Sequence, residues 1–426
     1  MASAGIVVAG LAGLAAYMVG PATHGVLTKV GMFRELKSMP LVYPEDFVTI
    51  KDTTHCEDVH YYAPAHTLFS ACEDVSATRF TWFPPLATFD DPNVAWNSKG
   101  SIHTIDPETK ESKRLKFENF DGPFITHGID VIADPEKPEG EAVYIFAVNH
   151  APNEAVYPRG GGTPDIDPGT APKAASRIEV FHYAIGSDSV KYIRTIAHPL
   201  IKTPNDIYAV SPTEIYVSND HYYFEGHLRA VEDLLPGATW SNVVRATVSE
   251  DESVQVTVAL DKLHNPNGMG HGRTEDEILV TSAMGGNMWI GKLLPENKTI
   301  AVEDNIDIVS TTDNPSYFSD PYPDVGGDAS GFLMPGLTKG INLSKNGQDP
   351  LGKEGVMVWY IKPSKNTTGT WETSLLWEDD GSTIRNAAAA VLVGIDPKKE
   401  DGKKRAWLFV TGFSSENAVA VKVDLS

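Results

Sequence analysis

The sequence predicts an all-β fold, of β-propeller or large-sandwich class, and three observations carry that expectation. Nine short runs rich in Val, Ile and aromatic residues recur along the chain, at 142–150, 177–185, 214–220, 253–260, 277–284, 287–294, 355–361, 406–413 and 418–425. Gly, Pro, Asn or Asp bounds each of them. After about residue 40 no stretch reads as a linker between domains, so the strands belong to one unit.

The 426 residues exceed the usual single-domain length, but large all-β folds run long as one unit. A hydrophobic fraction of 41% with 22% charged residues describes a globular chain. Thirty-five Lys and Arg against 57 Asp and Glu give a net charge of −22. So acidic a surface excludes the basic footprint that nucleic-acid binding needs. It is compatible with cation binding, although solubility alone would also explain it.

The N-terminal run carries no charge from Ala2 to His24. It predicts a hydrophobic signal or anchor helix over 1–24, ahead of one propeller domain over 25–426, and places the protein in the secretory pathway, secreted or membrane-anchored. Lys29, Arg34 and Lys37 follow the run, which by the positive-inside rule favours a cytoplasmic C-terminal side and opposes a luminal placement. Three Asn-x-Ser/Thr acceptors, Asn297, Asn342 and Asn366, give weak support for the secretory route.

Two segments break the strand pattern. Residues 157–173 are rich in Gly and Pro and predict an irregular surface loop. Residues 225–245 place Leu228, Val231, Leu234 and Leu235 at helical spacing before Pro236-Gly237, predicting a helical insertion of the kind that forms lids on propellers. The two cysteines, Cys56 and Cys72, lie symmetrically about Pro64. A hairpin turning at Ala63-Pro64-Ala65 would set them opposite each other, about 4.5–5.5 Å apart at Cα. That leaves a disulfide and two buried thiols equally open.

Five segments place oxygen-bearing residues after a β-like run or in a turn: Glu57-Asp58, Asn205-Asp206, Asn219-Asp220-His221, Asn267-Gly268 and Asp313-Asn314. Singly, each reads as an ordinary Asx turn. Together they are the hard mixture of carboxylate and amide oxygens that Ca²⁺ takes, and the near absence of His and the lack of Cys argue against zinc. His127 and His150 stand out as an acid/base pair able to exchange protons near neutral pH.

The order of Glu57-Asp58, His127-Gly128-Ile129, Val148-Asn149-His150, Asn205-Asp206-Ile207, Asn219-Asp220-His221-Tyr222, Asn267-Gly268 and Asp313-Asn314 resembles the paraoxonases, the arylesterase/lactonase family, of which the chain looks like a distant member of fungal or microbial type. The resemblance runs from about residue 33 to the last strand. It implies a six-bladed propeller whose central tunnel binds two Ca²⁺ ions. The catalytic ion would be held by Glu57, Asn205, Asn267, Asp313 and Asn314. The deeper, structural ion would be held by Asp58, Asp206 and the Ile129 carbonyl. His127 and His150 would be the dyad that activates water, with Asp220 and His221 in support. The implied substrate is a small lactone or aryl ester, with promiscuous phosphotriester cleavage. A GxSxG elbow is missing from the sequence, which removes the serine-hydrolase reading. Two alternatives share the architecture: a membrane-tethered chaperone or binding propeller, and a gluconolactonase- or strictosidine-synthase-like propeller. The family's disulfide between the N-terminal region and the last strand has no cysteines here, so ring closure must rest on strand pairing or on the 56–72 pair. The segments at 157–173 and after Asn314 also depart from the family.

Overall fold

In the computed structural model, which describes residues 24–425 apart from 42, 168, 236, 366 and 368, six sheets form the blades of a β-propeller, antiparallel except where Lys116–Glu118 adds a parallel edge strand to the second. The innermost strands are Asp58–Tyr62, Thr126–Ala133, Pro204–Ser211, Pro266–His271, Ser316–Phe318 and Ala387–Gly394. Each contacts the next, and the sixth returns to the first, so the ring is closed around a tunnel. The starts of these strands are unevenly spaced along the chain. That is why the sequence shows no repeat at blade period.

Closure is made by strand pairing. Phe47–Ile50 forms the outer strand of the sixth blade, pairing antiparallel with Ala418–Asp424 from Phe47 opposite Val421 to Ile50 opposite Ala418. The first and last parts of the chain therefore share one sheet, which hides an otherwise open edge. The core lies between blades. Phe146, Val148, Ile178 and Val180 of the second blade meet Ile207, Ile215, Val217 and Val244 of the third. Ile50, Val59, Leu68, Val391 and Phe409 seal the first blade against the sixth.

The helical insertion is shorter than the sequence predicts. The helix spans only His227–Leu234, and Ser241–Val248 is a strand of the third blade. Asn242, Val243 and Val244 pair with Asn219, Ser218 and Val217, so the ladder takes the part of the predicted insertion that follows the Pro236-Gly237 break. The loop at 157–173 has no regular structure and is largely exposed, as its composition requires. The hydrophobic N-terminal segment lies outside the described residues except for His24, the first of six helical residues at 24–29. Among the described residues no helix is long and apolar enough to cross a membrane.

One insertion escaped the sequence reading. Residues 73–100, between the second and third strands of the first blade, form the helices Ser76–Thr81 and Pro92–Asn97 and the ribbon Trp82–Phe83 with Thr88–Phe89. It carries Arg79 and Phe83 to the tunnel's mouth.

Candidate metal and acid/base centre

The same irregularity recurs at the start of four inner strands. Between Thr126 and Ile129, Pro204 and Ile207, Pro266 and Met269, and Ala387 and Ala390, three residues are spanned where the partner strand spans two. Each is a bulge of one extra residue, which twists the strand and redirects its side chains. The residues inside the bulges are His127-Gly128, Asn205-Asp206, Asn267-Gly268 and Ala388-Ala389. Three of the four bulges thus turn predicted site residues toward the axis, and the sixth blade contributes only alanines. Asn205, Asp206 and Asn267 are not turn residues following a strand, as their composition suggests, but open the innermost strands.

Two glycines let the bulges nest. A Cβ on Gly128 would lie 2.4 Å from Asp206 Oδ1, and one on Gly268 would lie 2.4 Å from Asn314 Cα. Only glycine allows so close a backbone approach.

The structure brings the predicted oxygen set together. Asn314 Nδ2 donates to Glu57 Oε1 at 3.0 Å, and His127 Nε2 lies 3.9 Å from the same oxygen. Asn205, Asn267, Asp313 and His127 line one cavity of about 530 Å³ on the upper face. Four buried oxygens of this set accept no hydrogen bond: Glu57 Oε2, Asn205 Oδ1, Asn267 Oδ1 and Asn314 Oδ1. Buried polar atoms are nearly always partnered, and a converging group of unpartnered oxygens has the chemistry to fit a cation. Among the described residues no three His, Cys, Asp or Glu side chains stand close enough to hold a metal by themselves. The set depends on amide oxygens, which suit a hard cation of the Ca²⁺ type.

Electrostatics point the same way. Burial, then the charges of Asp313 and Asp58, push the Glu57 carboxyl well above its ordinary range. Asp206 is raised by burial, then by Asp58 and Glu57. Asp313 is raised by burial and by Asp58. The neighbouring carboxylates of Glu57, Asp58, Asp206 and Asp313 repel one another, and a divalent cation would relieve that repulsion.

The deeper pair is fixed by backbone donors. Asp58 Oδ2 accepts from Ile129 N at 3.0 Å, and Asp206 Oδ2 accepts from Met269 N at 2.7 Å. The Ile129 backbone is thereby held at Asp58.

His127 Nδ1 lies 3.1 Å from His150 Nε2, and His150 Nδ1 lies 2.9 Å from Ser176 Oγ. Burial, then the neighbouring His150 and Arg79, hold His127 well below the usual imidazole range. Burial lowers His150 to about 3. Both rings are therefore neutral at pH 7. Where Ser176 accepts from His150 and His150 accepts from His127, the His127 Nε2 lone pair faces the cavity; the reverse relay, with Ser176 donating, satisfies the same contacts and puts the proton there. Asp220 and His221 form an ion pair beside this site, with His221 Nδ1 3.0 Å from Asp220 Oδ1 and Nε2 2.6 Å from Asp233 Oδ1 on the short helix. Burial works against charge on His221, but Asp220 raises it to about 9. The pair holds the helix against the tunnel mouth.

The insertion at 73–100 supplies residues that sequence reasoning missed. The Phe83 ring meets His127 edge-on at 5.2 Å and stacks on Phe413 at 5.8 Å. Arg79 lies over Phe83 at 4.0 Å and donates to the carbonyls of His55 and Thr126. Trp82 Nε1 donates to the His150 carbonyl at 2.8 Å. The dense run Arg79-Phe80-Thr81-Trp82-Phe83 was the available signal.

Cys56 and Cys72 are joined by a disulfide with 3.9 Å between Cα atoms. The hairpin register is one residue off the symmetric one, pairing Asp58 with Ala71, and Cys56 sits just before the strand. The bridge therefore anchors the residue immediately preceding Glu57.

A family model described as arylesterase matches residues 170–395. The chain is 27% identical to serum paraoxonase/arylesterase 2 of Gallus gallus over 58% of its length and 60% of the relative. It is 24% identical to serum paraoxonase/lactonase 3 of Oryctolagus cuniculus over 70% of its length and 73% of the relative. It is 31% identical to serum paraoxonase/arylesterase 1 of Homo sapiens over 39% of its length and 40% of the relative.

Proposed function

The chain belongs to the arylesterase family, and on that premise we propose that it is a calcium-dependent hydrolase of lactones or aryl esters. The observation that carries the reading is the group of four orphaned buried oxygens on Glu57, Asn205, Asn267 and Asn314 beside a neutral, buried His127. Glu57, Asn205, Asn267, Asp313 and Asn314 would hold one ion, and Asp58, Asp206 and the Ile129 carbonyl a second, deeper one. When bound, the upper ion supplies the Lewis acid that polarises a carbonyl and stabilises the oxyanion.

The chain's own residues do the rest. His127 takes a proton from water at Nε2, and its Nδ1 proton is shared with His150, which Ser176 orients. Water then adds to the carbonyl and the ester bond breaks. From a lactone a hydroxy acid leaves; from an aryl ester, a phenol and an acid. The cavity around the dyad is walled by Phe83, Leu86, Val30, Leu234, Leu343 and Phe413, which favours an apolar acyl or aryl group. The disulfide supports residence in an oxidising compartment, in keeping with secretory placement.

A panel of lactones, aryl esters and a phosphotriester tests the reading. Hydrolysis should disappear in excess chelator and return with Ca²⁺. His127→Gln should lower kcat by about 10²–10⁴-fold with Ca²⁺ binding retained. Full activity in chelator, or in His127→Gln, would refute the reading.

A further inference from the structure

The two halves of the oxygen set face opposite ends of the tunnel. Asn205, Asn267 and Asp313 line the upper cavity, which touches neither Asp58 nor Asp206. Asp58 and Asn314 instead line a second cavity, of about 790 Å³, at the lower face. Asp313 and Asn314 are neighbours in the chain, so the division falls between two consecutive residues. From above, the deeper carboxylates are covered by the Glu57–Asn314 contact and by Gly128, whose Cα packs on Asp206. Both acids are almost fully buried.

Asp58 touches the lower cavity but is only 2% exposed, and a row of polar side chains stands beside it at the mouth. His60 Nε2 lies 3.2 Å from Asp58 Oδ2, and His60 Nδ1 lies 3.3 Å from Asp130 Oδ1. Asp130 Oδ2 lies 2.9 Å from His271 Nε2. Asp130 is fully buried and also accepts from Ala209 N at 2.6 Å, so the middle of the row is pinned to the third blade. Its two imidazoles reach the mouth, His60 at 20% and His271 at 41% side-chain exposure, while Asp58 at 2% and Asp130 at 0% stay behind them. The His271 ring rests on Tyr208 at 4.2 Å, which sets the lip of the mouth.

We propose that the deeper cation enters and leaves by the lower mouth, and that the row His60–Asp130–His271 is the gate on that route, independent of the substrate cavity above. This rests on the two-ion calcium reading. It explains why a polar row of this kind lies at the end of the tunnel remote from His127. A carboxylate pair sealed from the substrate side needs a separate entrance, and an arriving divalent cation would replace at Asp58 the contact that His60 gives up as it swings.

The test is Ca²⁺ release from the loaded full chain, followed in stopped flow with a chromophoric chelator, with melting temperature measured in parallel. Two phases are expected, the slow one from the deeper pair. His271→Ala should speed the slow phase at least tenfold. Val131→Trp, at the lower mouth, should slow it and leave the fast phase unchanged. Met284→Trp, at the upper cavity, should slow only the fast phase. A destabilised variant can hasten release but not retard it, so the tryptophan pair keeps the test independent of folding. Slow release unaffected by Val131→Trp, slowed by Met284→Trp, or replaced by a single phase overturns the proposal while leaving the hydrolase reading intact. Failure to bind Ca²⁺ at all would sink that reading instead.

Discussion

Replacing both cysteines, as Cys56→Ala with Cys72→Ala, removes a bridge that closes a loop of 16 residues. The loop-closure entropy for that length corresponds to about 3 kcal/mol at 25 °C. Unfolding entropy of about 2.1 cal/mol/K per residue over roughly 400 ordered residues gives about 0.85 kcal/mol/K, so the melting temperature should fall by about 4 °C. Alanine is the better replacement. Both cysteines are at most 1% exposed, and a serine hydroxyl there would add a buried polar group. A second effect follows from position. Cys56 precedes Glu57, and Glu57 Oε2 is one of the four orphaned oxygens. Untethering that residue should weaken Ca²⁺ binding beyond the loss of stability. Scanning calorimetry in saturating Ca²⁺ reads the first effect, and calorimetric titration well below the melting temperature reads the second. A drop of less than about 1 °C would refute the loop-constraint account. An unchanged affinity would refute the claim that the bridge positions Glu57.

Gly268→Ala should drive its new methyl into the Asn314 backbone, costing about 1–3 kcal/mol and reducing Ca²⁺ affinity; a melting temperature and affinity equal to the parent's would show that the nested bulges are not needed. The metal-free chain should lose stability as pH rises from 7 to 9. Glu57, Asp206 and Asp313, raised by burial and then by neighbouring carboxylates with Asp58 common to all three, bind protons more tightly folded than unfolded and so act toward lower stability as pH rises. His60 and His221, each raised to about 9 by neighbouring carboxylates against the effect of burial, act in the same direction. His127 and His150 are lowered and so are neutral in both states across this window. Saturating Ca²⁺ should flatten the slope by removing the acids' share. Equal slopes with chelator and with Ca²⁺, in melting curves across that pH range, would contradict the assignment of these acids to the cation site.

The sequence by itself determined the strand-rich texture and the chemistry of the candidate centre. Its Val, Ile and aromatic runs specify pleated, covered strands wherever they fall, because side-chain packing on a sheet is a local preference. Its Asn, Asp and Glu motifs specify hard oxygens, because donor type belongs to the residue. Three things were decided only in three dimensions. The ladder of the third blade took Ser241–Val248, beyond the Pro236-Gly237 break, so the predicted insertion keeps its helix only at His227–Leu234. Arg79 and Phe83 reached His127 from an insertion whose motif has no meaning until the blades close. The bulges at the tunnel's upper end also depend on the paired strand. One extra residue can be counted only against a partner that lacks it, and that count turns His127, Asn205 and Asn267 toward the axis while Asp58 faces the opposite mouth.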